Sequence, residues 1–111
     1  MRVVEFSVKG VTFDGRQAVI ARLTGKEPVR IIPEPENPYD ANELGVNVAL
    51  DGEIKHIGYV PKERAAEIAP ALDGETVDGR ILDIVGGYES RGRWLSYGVV
   101  VRFEFPDETT V

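Results

Sequence analysis

Residues 33–40 read Pro-Glu-Pro-Glu-Asn-Pro-Tyr-Asp, a run that neither a helix nor a sheet interior can absorb. Each proline fixes its own φ and removes a backbone donor, so the run is a rigid, polar loop that must lie at a surface. β-like segments flank it, residues 29–32 before and 44–50 after. Strand, rigid loop and strand are therefore set by covalent geometry before any packing is considered.

The rest of the chain reads in the same short units. Val4, Phe6 and Val8 alternate with Glu5, Ser7 and Lys9, a period of two that predicts a first strand over 3–9. Asp14-Gly15 breaks the pattern. Residues 16–23 then put Val19, Ile20 and Leu23 on one helical face, with Asp14 placed to cap the start and Gly25 to end it. The second strand, 29–32, is bounded by Pro28 and Pro33, which cannot donate to a ladder. After the loop, 45–50 is a third strand, Asp51-Gly52 a hairpin turn and 54–60 the returning fourth strand. Pro61 suits the first turn of a second helix. Ala65, Ile68, Ala69 and Leu72 give that helix an apolar stripe, Gly74 ends it, and Pro70 is expected to tighten or kink its last turn. A fifth strand spans 77–85. A turn over 86–93 leads into a long sixth strand, 94–105, and a frayed tail occupies 106–111.

Six short strands and two short helices predict a mainly β fold, a small six-stranded OB-like or SH3-like barrel with helices at its rim, in one domain over 1–105. Closure, complete or nearly so, is favoured because it removes unpaired edge backbone. An open α+β sheet is the alternative.

Thirteen basic and 19 acidic side chains give a net charge of −6, which argues against non-specific binding to long duplex DNA. The distribution is uneven. Residues 1–30 carry six basic and three acidic groups, 31–53 six acidic and no basic, and 90–103 only Arg91, Arg93 and Arg102. A basic surface could form where the first segment meets the last strand. The absence of cysteine excludes a disulfide framework, a thiol nucleophile and a cysteine-based zinc site. No apolar run approaches the roughly 20 residues that span a bilayer, and the start lacks the shape of a signal peptide. The expectation is a soluble, cytoplasmic protein with no membrane partner.

Catalytic signals are weak. His56 is the only histidine, so a general base or metal ligand lacks partners. Glu34, Glu36, Asp40 and Glu43 are oxygen-rich but lack the spacing and central glycine of an EF-hand loop. No phosphate-cradling glycine loop, nucleophile–histidine–acid set or paired catalytic acids stand in a convincing frame. The expectation is a chain that is not an enzyme by itself and needs no cofactor or metal.

Two blocks in register carry a resemblance. Gly10-Val11 follows the first strand. Glu34-Pro35, Asn37-Pro38-Tyr39-Asp40, Asn42, Leu44 and Val46 form the first block, and Ile57-Gly58-Tyr59-Val60-Pro61 the second. In this order they resemble the HIRAN domain, over about residues 6–105. The resemblance implies a modified six-stranded OB-like barrel, here of the free-standing bacterial kind rather than fused to a Swi2/Snf2-type helicase or a nuclease. It also implies capture of single-stranded DNA at a free 3′-hydroxyl end. By motif position, Asp40 would accept a hydrogen bond from the terminal 3′-OH and Tyr39 would lie against the terminal nucleotide. Asn37 would order the loop or touch the DNA backbone. Phe13 stands where fork-remodelling members carry a stacking tyrosine. Thr12 replaces an arginine of those members and Tyr59 a histidine, which removes one phosphate contact and offers a stacking surface.

An ionised aspartate only accepts hydrogen bonds, so Asp40 would favour a hydroxyl and repel a phosphate. Stacking on Tyr39, Phe13 or Tyr59 would be sequence-tolerant, and Lys62, Arg91 and Arg93 are candidates to hold phosphates. The implied partners are single-stranded DNA 3′ ends and a helicase or nuclease that supplies any catalysis, in repair, replication or defence. Two other readings stay open. One is a protein-interaction adaptor, which the acidic 31–53 stretch and Thr12 favour. The other is a metal-dependent hydrolase or nuclease using Asp40 and Glu43. Residue by residue, plainer roles also stay open: a turn at 37–40, a core position for Phe13, a rim aromatic at Tyr59, and core cover or stacking for Trp94 and Tyr97.

Overall fold

The period-two runs become one antiparallel sheet. A computed structural model describes residues 1–106, so the expected tail at 106–111 lies, apart from Pro106, outside the described residues. The elements in chain order are β1 (Arg2–Ser7), α1 (Arg16–Ile20), β2 (Pro28–Pro33), β3 (Leu44–Leu50), β4 (Glu53–Tyr59), α2 (Lys62–Leu72), β5 (Val77–Val85), β6 (Tyr88–Ser90), β7 (Arg93–Leu95) and β8 (Gly98–Phe105). Six strands form the main sheet in the order β1-β8-β5-β2-β3-β4, and β6 and β7 form a separate hairpin. The fold is mainly β, as expected. No helix among the described residues is long and apolar enough to cross a membrane.

The alternating positions converge on one core. Val4 and Phe6 of β1, Val29 and Ile31 of β2, Val46 and Val48 of β3, Val101 and Phe103 of β8 all lie in it, joined by Ile20 of α1 and Ala65, Ile68 and Leu72 of α2. Burying such side chains contributes about 1.5–3 kcal/mol each. The ion pairs Arg2–Glu67 and Arg22–Asp51 join partly exposed groups, and pairs of that kind contribute less than about 1 kcal/mol. Apolar burial holds the fold.

Closure of the barrel is limited to one point. β1 and β4 are the two edges of the sheet, and they meet at a single isolated bridge, where Lys9 and Tyr59 exchange both backbone hydrogen bonds at 2.8 and 2.9 Å. A bulge makes this possible. Val46 pairs with Gly58 while Asn47 pairs with His56, which leaves Ile57 as the extra residue. Bulges bend and twist their strand, and Gly58 follows at φ 149. β4 thereby swings its last residue against the end of β1.

Three local expectations are corrected. The first helix ends at Ile20, and its cap is Gly15 (φ 73) with no side-chain bond, not Asp14. Asp14 itself is left-handed (φ 53), and its carboxylate is turned toward Arg16. Beyond Ile20 the amides of Arg22 and Leu23 bond to the carbonyls of Val19 and Ile20. This tighter winding still carries Leu23 to the core. In α2, Pro70 sits on the exposed side, where the carbonyl it leaves unpaired can meet water. That helix stops at Asp73 (φ 48), one residue before Gly74.

The third correction is the largest. The predicted turn at 86–93 and strand at 94–105 are a separate hairpin followed by a shorter strand, giving eight strands among the described residues rather than six. Gly86 and Gly87 both take φ 73. A Cβ on Gly86 would fall on the Ser96 carbonyl, and one on Gly87 would fall into the Tyr97 ring. This close crossing pinches the β6–β7 ribbon off from the main sheet. By contrast, Asp51-Gly52 behaves as read, with φ 52 and 79 in the double left-handed turn that two-residue hairpins favour.

Candidate functional site

The proline-rich loop is held from inside. The amide of Glu34 donates to the carbonyl of Glu43 at 2.9 Å and clips the loop's ends together. The Asn37 Oδ1 accepts from the amides of Tyr39 (2.9 Å) and Asp40 (3.3 Å), while its Nδ2 donates to Glu34 Oε1 at 3.0 Å. Asn37 therefore orders the loop. Asp40 Oδ1 accepts from the amide of Asn42 at 2.9 Å, which leaves Oδ2 for another donor. Tyr39 is 93% exposed and presents its ring to solvent.

Beside this loop lies a cavity of about 450 Å³, walled by Lys9, Gly10, Phe13, Arg16, Glu43, Tyr59 and the start of α2 with Lys62 and Glu63. The size falls in the range of small-ligand sites, about 300–1,000 Å³. The Lys9–Tyr59 bridge forms one seam of it, so the point where the sheet closes is also where the cavity sits. Glu43 links cavity and loop. Its amide donates to the Asp40 carbonyl at 3.1 Å. Its carboxyl is held above its usual range, first by burial and then by the nearby Asp40 and Glu34 charges, against the pull of Lys62. Asp40 itself does not line the cavity; it stands next to Glu43, within electrostatic reach of that cavity wall.

Phe13 is 65% exposed. It is a surface aromatic of the cavity and not a core residue. Tyr59 is half-buried, with the His56 ring edge-on at 4.8 Å and the Arg16 guanidinium over its face at 5.4 Å. Burial, then the Glu34 charge, pushes its hydroxyl pKa up. The structure thus brings Phe13, Tyr59 and Lys62 together, with Asp40, Asn37 and Tyr39 on the adjoining loop. Arg91 and Arg93 sit apart on the β6–β7 hairpin and do not line the cavity.

Where β1 meets the last strand, the basic charge is matched by acids. Arg102 faces Glu5 across the β1–β8 register at 3.6 Å and Glu104 at 3.5 Å. Among the described residues no group of three His, Cys, Asp or Glu side chains is placed to hold a metal ion.

Two contributors escaped the sequence reading. Arg16 is only 9% exposed and donates from Nη1 to the Gly10 carbonyl at 2.7 Å. Gln17 donates from Nε2 to the carbonyls of Val11 and Tyr97, both at 2.9 Å, and accepts from the Tyr97 amide at 2.8 Å. It ties the loop bearing Phe13 to the base of the hairpin. Nothing in composition or periodicity distinguishes either residue from a solvated helix position.

His56 makes a pH prediction. Burial, then the Arg16 charge, holds its pKa below the ordinary 6.5. The folded protein resists protonation while the unfolded chain does not. Its contribution to stability is complete above pH 6.5 and is lost as pH falls through that value toward the folded-state pKa. Thermal melts between about pH 7.5 and 5.5 should show falling stability, and His56→Phe should flatten the trend. Glu43, whose pKa is raised, acts in the opposite sense, so the same melts on Glu43→Gln separate its contribution from that of His56.

Comparison with known proteins agrees with this fold. The family model of the HIRAN domain matches residues 1–96. A relative from Arabidopsis thaliana, named as a SWI/SNF-related matrix-associated actin-dependent regulator of chromatin subfamily A member 3-like 1, is 34% identical over 56 residues. That match covers 50% of this chain and 6% of the relative. The crystal structure of the HIRAN domain of human HLTF superposes with a TM-score of 0.55 at 21% identity, covering 91% of this chain and 74% of that one. The chain belongs to the HIRAN domain family, a family of nucleic-acid-binding domains.

Proposed function

We propose that this domain binds single-stranded DNA and captures its free 3′-hydroxyl end. The observation that carries the reading is the cavity itself, where an exposed Phe13, a half-buried Tyr59 and the cations Lys9, Arg16 and Lys62 adjoin the rigid Asp40 loop. A terminal base stacks on Phe13 or Tyr39, and its 3′-OH donates to Asp40 Oδ2. A 3′-phosphate in that place would face the carboxylates of both Asp40 and Glu43. Lys62 meets phosphate in the cavity, and Arg91 and Arg93 on the hairpin meet the strand farther from its end. The domain has no catalytic role of its own. It works in the cytoplasm as an accessory to a helicase or nuclease in repair, replication or defence.

The test is fluorescence anisotropy of a short oligonucleotide at low salt, ending in either 3′-OH or 3′-phosphate. A hydrogen bond to a charged group is worth about 1.5–3 kcal/mol, so wild type should prefer the hydroxyl end by about tenfold or more. Asp40→Asn should remove most of that preference while melting like wild type. Equal affinity for both ends in the wild-type protein would defeat end capture.

One observation favours a second reading, a protein adaptor. The hairpin leaves Tyr88, Trp94 and Leu95 exposed at 56%, 61% and 40%, and apolar side chains grouped in this way suit a protein contact. That reading predicts no DNA affinity, and partner binding that survives Asp40→Asn.

A further inference from the structure

We infer that Arg16 is the phosphate anchor of the cavity. In this role, which rests on the end-capture reading, its guanidinium takes the phosphate on the 5′ side of the captured nucleotide. The smallest ligand is then a nucleoside 5′-monophosphate, and a bare nucleoside lacks the main polar contact.

Arg16 carries a charged side chain that is nine-tenths buried. A buried guanidinium is costly to maintain unless its donors and its charge are matched. They are not matched by the protein. The Gly10 carbonyl, at 2.7 Å from Nη1, is neutral. Among the described residues the one carboxylate within ion-pair distance is Asp14, 3.4 Å from Nη2, with its side chain 82% exposed. Charge-assisted bonds of this type are made at about 2.7–2.9 Å, so Asp14 is a loose partner. Among the described residues Nε has no acceptor at all. Nε is enclosed as well as unpartnered, and Nη2, beside it on the same edge of the guanidinium, is the donor a phosphate in the cavity would reach once Asp14 moves aside.

The location supports the same role. Arg16 shares the cavity wall with Phe13, Tyr59 and Lys62. Lys9 and Lys62 are both exposed, and Glu43 and Glu63 line the same cavity against them. Arg16 is the cation there that packing holds in place, beneath Gly10 and over the Tyr59 ring. An anchor already ordered loses little conformational freedom on binding. A phosphate arriving on it displaces Asp14 and leaves the base free to lie on Phe13.

Titration of the whole domain with a deoxynucleoside, its 5′-monophosphate and its 3′-monophosphate, followed by amide chemical shifts, tests the assignment. Wild type should bind the 5′-monophosphate about tenfold more tightly than the nucleoside, the size expected of one charge-assisted contact. Arg16→Lys keeps the charge but loses the fork, and should lose most of that increment. Asp14→Asn removes the competing carboxylate at an exposed site that tolerates asparagine, and should strengthen 5′-monophosphate binding about threefold. A thermal melt of each variant separates lost binding from lost folding, and Asp14→Asn keeps the test alive if Arg16→Lys does not fold. No gain from the 5′-phosphate in wild type, an undiminished gain in folded Arg16→Lys, or weaker binding in Asp14→Asn overturns the anchor. The oligonucleotide end preference, measured on the same proteins, reports on the Asp40 and Glu43 carboxylates and not on Arg16. A preserved 3′-OH preference beside a failed phosphate increment refutes the anchor and spares end capture, and the reverse pattern does the opposite.

Discussion

Gly58→Ala should cost the domain about 3–5 kcal/mol, lowering its melting temperature by about 15 °C or more. At φ 149 the residue lies where L side chains rarely go. A Cβ there would fall on the Lys9 carbonyl oxygen and against Val8 Cγ1. The first is backbone already committed to the Lys9–Tyr59 bridge, so it cannot give way without opening the seam. Gly52→Ala is the control. It is also left-handed, at φ 79, but its Cβ would meet nothing within 4 Å. It should lose only the backbone preference, about 1–2 kcal/mol. Urea titrations of both variants check the difference through their midpoints. Equal losses would mean that the close approach at the seam is not what requires glycine. Because Tyr59 is the next residue and a wall of the cavity, Gly58→Ala should also lose DNA binding.

Gly58 also shows what was legible in the sequence. Its place within Ile57-Gly58-Tyr59-Val60-Pro61 marked the segment, but the bulge and the bridge to Lys9 were not visible, because both depend on a partner strand distant in sequence. Strands β1 to β5 were readable, since each has either a period of two or flanking prolines and glycines. The β3–β4 hairpin was readable because Asp51-Gly52 supplies two left-handed residues in succession. The hairpin at 88–95 was not. Its strands have three residues each, too few to show a period, and Gly86-Gly87 reads as a plain turn until Tyr97 is seen packed against it. At the site, the Asp40 loop announced itself through its rigidity. Arg16 did not. Its burial arises from Gly10 and Tyr59 approaching it from either side, and an arginine that opens a short helix otherwise reads as solvated.

Phe13→Ala should weaken oligonucleotide binding by about 5- to 100-fold and leave stability unchanged to within about 0.5 kcal/mol. The two halves follow from the same number. With 65% of its surface exposed, the ring contributes little to the core, so truncation removes a platform and opens no void. Base stacking on an aromatic is worth about 1–3 kcal/mol by alanine substitution, and Phe13→Trp should bind at least as well as wild type. On the proposed function, stacking is also what would let a chain of net charge −6 hold DNA. The cavity cations are Lys9, Arg16 and Lys62, so for an oligonucleotide too short to reach Arg91 and Arg93 the affinity should fall only gently with salt, with a log–log slope of about −2. A steep slope would indicate an extended electrostatic surface instead. Anisotropy of Phe13→Ala across a salt series measures both quantities at once. If that variant binds like wild type, the strand lies elsewhere, and the hairpin becomes the place to look, because Tyr88 and Trp94 stand exposed there beside Arg91 and Arg93.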